Sequence, residues 1–126
     1  KGGIATAPQL NGTTAIQVAS VVAFSATQPT FTSGFGGATG RTITGTSTSF
    51  SIVVGSSTTD NNGVLGMPTA TNGWVVRATN QTAPANLVQQ SASSTSSVTL
   101  TQYNTTLGSA TNFASGDVIK CVATAY

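Results

Sequence analysis

The sequence contains no histidine and no glutamate, and its only acids are Asp60 and Asp117, set against the cations Lys1, Arg41, Arg77 and Lys120. Charged residues make up 5% of the 126 positions, where an ordinary soluble domain carries roughly 25%. A hydroxyl nucleophile needs a base beside it, and the usual bases are missing. Only a Ser–Lys pairing through Lys120 remains, and it would require that amine buried against a hydroxyl. Two carboxylates about 5 to 10 Å apart could cleave a glycoside. Asp60, however, stands in the turn-like run Asp-Asn-Asn-Gly, and Asp117 follows Ser115-Gly116 directly before a strand. Each is expected to bond local backbone amides instead. The composition therefore predicts a protein that is not an enzyme.

The single cysteine, Cys121, allows no internal disulfide and, with no imidazole in the chain, no zinc site. The Asp60–Gly63 run lacks the alternating ligands and closing glutamate of a calcium loop. Gly34, Gly36, Gly37 and Gly40 break the dinucleotide-loop spacing at Thr39. No metal and no cofactor are expected. The cations are scattered along the chain without interleaved aromatics, which gives no basis for neutralising a phosphate backbone, so nucleic acid is not an expected partner. A membrane is not one either. The longest apolar candidate, Val18 to Ala26, is interrupted by Ser20 and Ser25 and falls well short of the ~20 residues of a spanning helix.

What is present is polarity without charge. Ser, Thr, Asn and Gln supply 54 residues, and the apolar share is 38%. Val, Ile and Thr cluster in short runs separated by Gly and Asn, the signature of β-structure rather than of a linker. Helix is opposed, because the surface helix formers Glu, Lys and Arg are nearly missing and no apolar stripe keeps a 3.6-residue period. Strands are expected over Ser49–Val54, Trp74–Thr79, Leu87–Gln90, Ser97–Tyr103 and Val118–Ala125. Alternation places Trp74, Val76 and Ala78 opposite Val75, Arg77 and Thr79, and Ile119, Cys121 and Ala123 opposite Lys120 and Val122. The expected core is Phe50, Ile52, Trp74, Val76, Leu100, Ile119 and Cys121. Asp60–Gly63 reads as a hairpin turn, since Asn-Gly supports positive φ. Phe31 to Gly45, with five glycines, reads as a long loop holding at most short extended pieces around Ile43.

These strands predict an all-β fold: one antiparallel β-sandwich or jelly-roll-like domain over residues 31–126, preceded by an extended N-terminal arm or first strand over residues 1–30. Asn11, Asn80 and Asn104 match the glycosylation acceptor pattern, but a Ser/Thr-rich chain produces such matches by chance.

From Phe50 onward the order of segments is SFSIVVGSST, then Gly-Val-Leu-Gly-Met-Pro at Gly63–Pro68, then Asn-Gly-Trp at Asn72–Trp74. SASSTSSVTLTQY at Ser91–Tyr103 and a closing SGDVIKCVATAY follow. This stretch resembles a β-rich module of bacteriophage virion proteins of the head decoration and head fibre type. The resemblance implies a virion surface protein in several copies, plausibly a trimer, lying on the major capsid protein or beside other virion subunits. In that setting the arm would dock through Ile4, Ile16, Val18, Val21, Val22 and Phe24, pairing its backbone with a neighbour. A rival reading is an extracellular filament subunit that donates its first strand to the next copy. A third is a carbohydrate-binding adhesin module using Trp74, Tyr103 or Tyr126 as an exposed stacking platform.

Overall fold

The computed structural model describes residues 27–126. The expected arm residues Ile4, Ile16, Val18, Val21, Val22 and Phe24 lie outside the described residues. Eight strands build two antiparallel four-stranded sheets packed as a β-sandwich. The strands are β1 (Thr30–Gly34), β2 (Thr42–Gly45), β3 (Ser49–Val53), β4 (Asn62–Gly66), β5 (Trp74–Asn80), β6 (Asn86–Ser93), β7 (Ser97–Asn104) and β8 (Val118–Ala125). The front sheet has the order β1-β4-β7-β6 and the back sheet β2-β3-β8-β5. On one flank β5 packs beside β6, while β1 and β2 are the edge strands at the opposite ends of their sheets.

Alternating side chains explain the interior. β3, β5 and β8 each turn every second residue inward, so Phe50, Ile52, Trp74, Val76, Ile119, Cys121 and Ala123 line the back sheet's inner face. Leu65, Val88, Val98 and Leu100 face them from the front sheet. Trp74 is fully buried, and its indole Nε1–H donates to the Pro68 carbonyl at 2.8 Å, which satisfies the ring's polar atom inside the core.

Two expectations need correction. In the Phe31–Gly45 stretch, β2 is the extended piece expected around Ile43, but the stretch also opens with a strand, β1, that was not expected; both are edge strands. Its glycines sit at the strand ends and in the connection, where Gly34, Gly36 and Gly40 have φ between 69° and 76°. Arg41 clamps that connection. Its guanidinium donates to the carbonyls of Gly34 (2.9 Å) and Gly36 (3.1 Å) and stacks 4.5 Å from the centre of the Phe31 ring.

Asp60–Gly63 is likewise no hairpin turn, because Asn62 and Gly63 begin β4, a central strand between β1 and β7. The glycine is needed for close approach, not for turning. Gly34 and Phe35 both adopt positive φ (69° and 59°), and this double reversal carries the Phe35 ring across Gly63, where a Cβ would fall on the ring itself. Phe35 is thereby fully buried, 5.8 Å from the Phe31 ring and 5.2 Å from that of Phe113.

Candidate functional site

Two of the ionisable side chains, Cys121 and Asp117, are buried. Cys121 is inward-facing on β8, and burial pushes its thiol from the ordinary 9.0 up to about 12. At neutral pH it is a protonated, apolar-packed group, poorly suited to nucleophilic attack or to metal binding. The sign of the pH effect follows. An unfolded chain ionises this thiol from about pH 9, whereas the folded chain keeps its proton to about pH 12. The unfolded state then binds fewer protons, so its contribution to stability is intact below pH 9 and is lost as pH rises from 9 towards 12, at up to about 1.4 kcal/mol per pH unit. Urea titrations between pH 8 and 11 should show a steeper alkaline loss for the natural chain than for Cys121→Ala. Equal slopes would mean that the thiol is not shielded.

The two acids are each held by backbone amides, in different surroundings. Asp60 is half-buried and its Oδ2 accepts from the Gly36 amide at 3.3 Å, tying the β1–β2 connection to the start of β4. This partner is distant in sequence, so the expected local backbone bond is not what holds the Asp60 carboxylate. Asp117 is buried. Its Oδ2 accepts from the nearby Ala114 amide at 2.9 Å and from Asn80 Nδ2 at 2.9 Å. Lys120 is exposed and donates to Ser51 Oγ at 3.1 Å, so the burial required of a Ser–Lys pair is not met.

Asn80 is the centre of a buried polar node that links the sheets. Its Nδ2 also donates to Gln102 Oε1 at 2.8 Å, while its Oδ1 accepts the Thr82 and Ala83 amides, each at 3.0 Å. Gln102 in turn donates to the Asn112 carbonyl at 2.8 Å. β5 and β8 of the back sheet are thus joined to β7 of the front sheet by amide and carboxylate bonds, with no buried side-chain polar atom left unpaired among the described residues. Sequence reading noticed Asn80 only as a glycosylation match. The signal available was a pair of polar residues, Asn80 and Gln102, standing at inward positions of alternating strands.

What the surface offers is sheet. On the outer face of the back sheet, Thr44, Ser51, Lys120 and Thr79 stand in one row across β2, β3, β8 and β5. Arg77 and Val122 face each other one rung away. A shallow basin of about 630 Å³ lies here, bordered by Thr44, Ser49, Ser51, Thr79, Lys120 and the exposed Val122. Phe50 and Cys121 also border it, but their side chains belong to the core. Among the described residues no aromatic ring is presented for stacking in the basin. Trp74, being fully buried, offers no platform, while Tyr103 on β7 of the front sheet is half-buried and Tyr126, beyond β8, is exposed.

The sheet edges differ sharply. On the β5–β6 flank, side chains of β6 close the backbone of β5. Gln90 accepts from the Val76 amide and donates to the Trp74 carbonyl at 2.9 Å, and Ser93 Oγ donates to that same carbonyl at 2.8 Å. The β1–β2 flank is more open. Phe31 and Ile43 are only half-buried there, and the described backbone bond on the outer side of β2 is Gln28 Nε2 to the Ile43 carbonyl, 2.5 Å. Gln28, at the start of the described residues, lies beside that edge.

No family model, curated protein or solved structure matches the chain.

Proposed function

We propose that this chain is a non-enzymatic structural protein of a virion, a capsid decoration or fibre subunit. It holds its neighbours by shape, apolar contact and backbone pairing. The observation that carries this reading is the asymmetry of the sandwich among the described residues: one flank is closed by side-chain-to-backbone bonds of Gln90 and Ser93, and on the other Phe31 and Ile43 are only half-buried. Low charge adds support, since copies with few ionisable groups repel one another weakly when packed side by side. The placement on a virion, beside the major capsid protein, comes from the resemblance of residues 50–126 alone.

The experiment compares the full chain with a variant lacking residues 1–24. The full chain should form a discrete homo-oligomer, a trimer in the favoured case, and should co-sediment with the particle that carries it. The truncated chain should keep its strand-rich circular dichroism and cooperative unfolding but lose co-sedimentation by at least about tenfold in affinity. Full-strength binding by a folded truncated chain refutes the docking arm. Open-ended polymerisation of the full chain by itself would instead identify the filament subunit.

A further inference from the structure

We propose that the outer face of the back sheet binds an acidic polysaccharide, one whose sugar rings carry carboxylates, in the basin beside Lys120 and Arg77. This activity is separate from the docking between virion subunits and does not require it.

The charge balance points to it. The chain has four basic side chains and two acidic ones. Arg41 is engaged inside the fold, by the carbonyls of Gly34 and Gly36 and by the Phe31 ring. Asp60 is held by the Gly36 amide, and Asp117 is buried against the Ala114 amide and Asn80. Arg77 and Lys120 are both exposed and stand on one face of the adjacent strands β5 and β8. Register sets Arg77 opposite Val122 and Lys120 opposite Thr79. The two cations are therefore diagonal neighbours, about 7–8 Å apart at the backbone, and like charges so placed repel unless an anion lies between them. Both acids of the chain are already engaged, and residues 1–26 contain none. Neither the rest of the chain nor a second copy supplies the missing carboxylate, so it comes from a different molecule.

The surroundings select the class of anion. The basin beside Lys120 is bordered by the hydroxyls of Thr44, Ser49, Ser51 and Thr79. Each hydroxyl both donates and accepts, which suits the ring hydroxyls of a sugar. Val122, 62% exposed, offers an apolar spot to the C–H face of a ring. The row from Thr44 through Ser51 and Lys120 to Thr79 crosses four strands, about 14 Å at ordinary strand spacing. A face of that length takes an extended polymer better than a compact ion. Nucleic acid is a poorer fit, since it calls for more cations and for aromatic stacking. An anionic membrane surface attracts clusters of about four to eight basic residues. Two cations among hydroxyls match a polymer of sparse charge, and the planar fork of Arg77 takes a carboxylate through two parallel bonds.

The test uses the full chain and polygalacturonate, a polymer of uronic acid rings, with neutral dextran and double-stranded DNA compared at the same salt concentration. Polygalacturonate should bind at least about tenfold more tightly than either. Arg77→Gln and Lys120→Gln should each weaken that binding at least about fivefold. Their urea midpoints should match that of the natural chain, because both side chains are exposed. Adding Gln89→Lys to Arg77→Gln restores the net charge at an exposed position of β6, on the front sheet, and should not restore binding. Recovery through Gln89→Lys would mean that net charge alone attracts the polymer, and it overturns the inference. So does unchanged affinity in both single variants. Dextran or DNA bound as tightly as polygalacturonate overturns the assignment to a carboxylated glycan.

Discussion

Asn80→Ala is expected to remove about 3–5 kcal/mol of stability, a large part of what a domain of this size possesses. The loss comes less from Asn80 itself than from what it leaves behind. Gln102 is fully buried and Asp117 nearly so, and neither can turn to water once the amide that binds both is gone. The Thr82 and Ala83 amides lose their acceptor as well, although these residues are more exposed and can be hydrated at lower cost. Asn80→Asp separates the two halves of the role. It keeps an acceptor for Thr82 and Ala83 but replaces the donor with an oxygen facing Gln102 Oε1 and the Asp117 carboxylate, so its cost at neutral pH should equal or exceed that of alanine. Urea unfolding followed by Trp74 fluorescence would measure both. An aspartate variant as stable as the natural chain would show that the donated bonds contribute little.

This node also shows where sequence reading stopped. Strands β3, β5, β7 and β8 were legible because apolar residues recur at every second position, Phe50 and Ile52, Trp74 and Val76, Val98 and Leu100, Ile119 and Cys121. For β6 only the first half was legible, since after Gln90 the strand is bulged and continues in Ser and Ala, which carry no inward signal. β1 and β4 were hidden by glycine and by Asn-Asn-Gly, residues whose local preference is for turns and which here serve close packing of a ring. Phe35, Leu65 and Phe113 escaped the expected core for the same reason: each sits among Gly, Ser or Asn, with no alternating neighbours to reveal its direction. The unequal flanks could not be seen either. They depend on which strand ends at which edge, and short Thr-rich strands do not specify that order in one dimension.

Gly63→Ala should destabilise the fold by about 2–4 kcal/mol, although alanine is the smallest possible change. The added methyl points into the space filled by the Phe35 ring, and the clash has no easy relief. Phe35 is fully buried, sits at positive φ and is packed against Phe31 and Phe113, so the ring cannot swing aside without opening the β1–β2 flank. A double-mutant cycle isolates this cause. Phe35→Ala alone should cost about 3–5 kcal/mol through lost burial, but adding Gly63→Ala to it should cost little more, because the methyl then enters the vacated volume. A coupling of about 2 kcal/mol or more between the two positions is therefore expected. Strict additivity would locate the glycine's importance in its backbone freedom instead of in the ring above it.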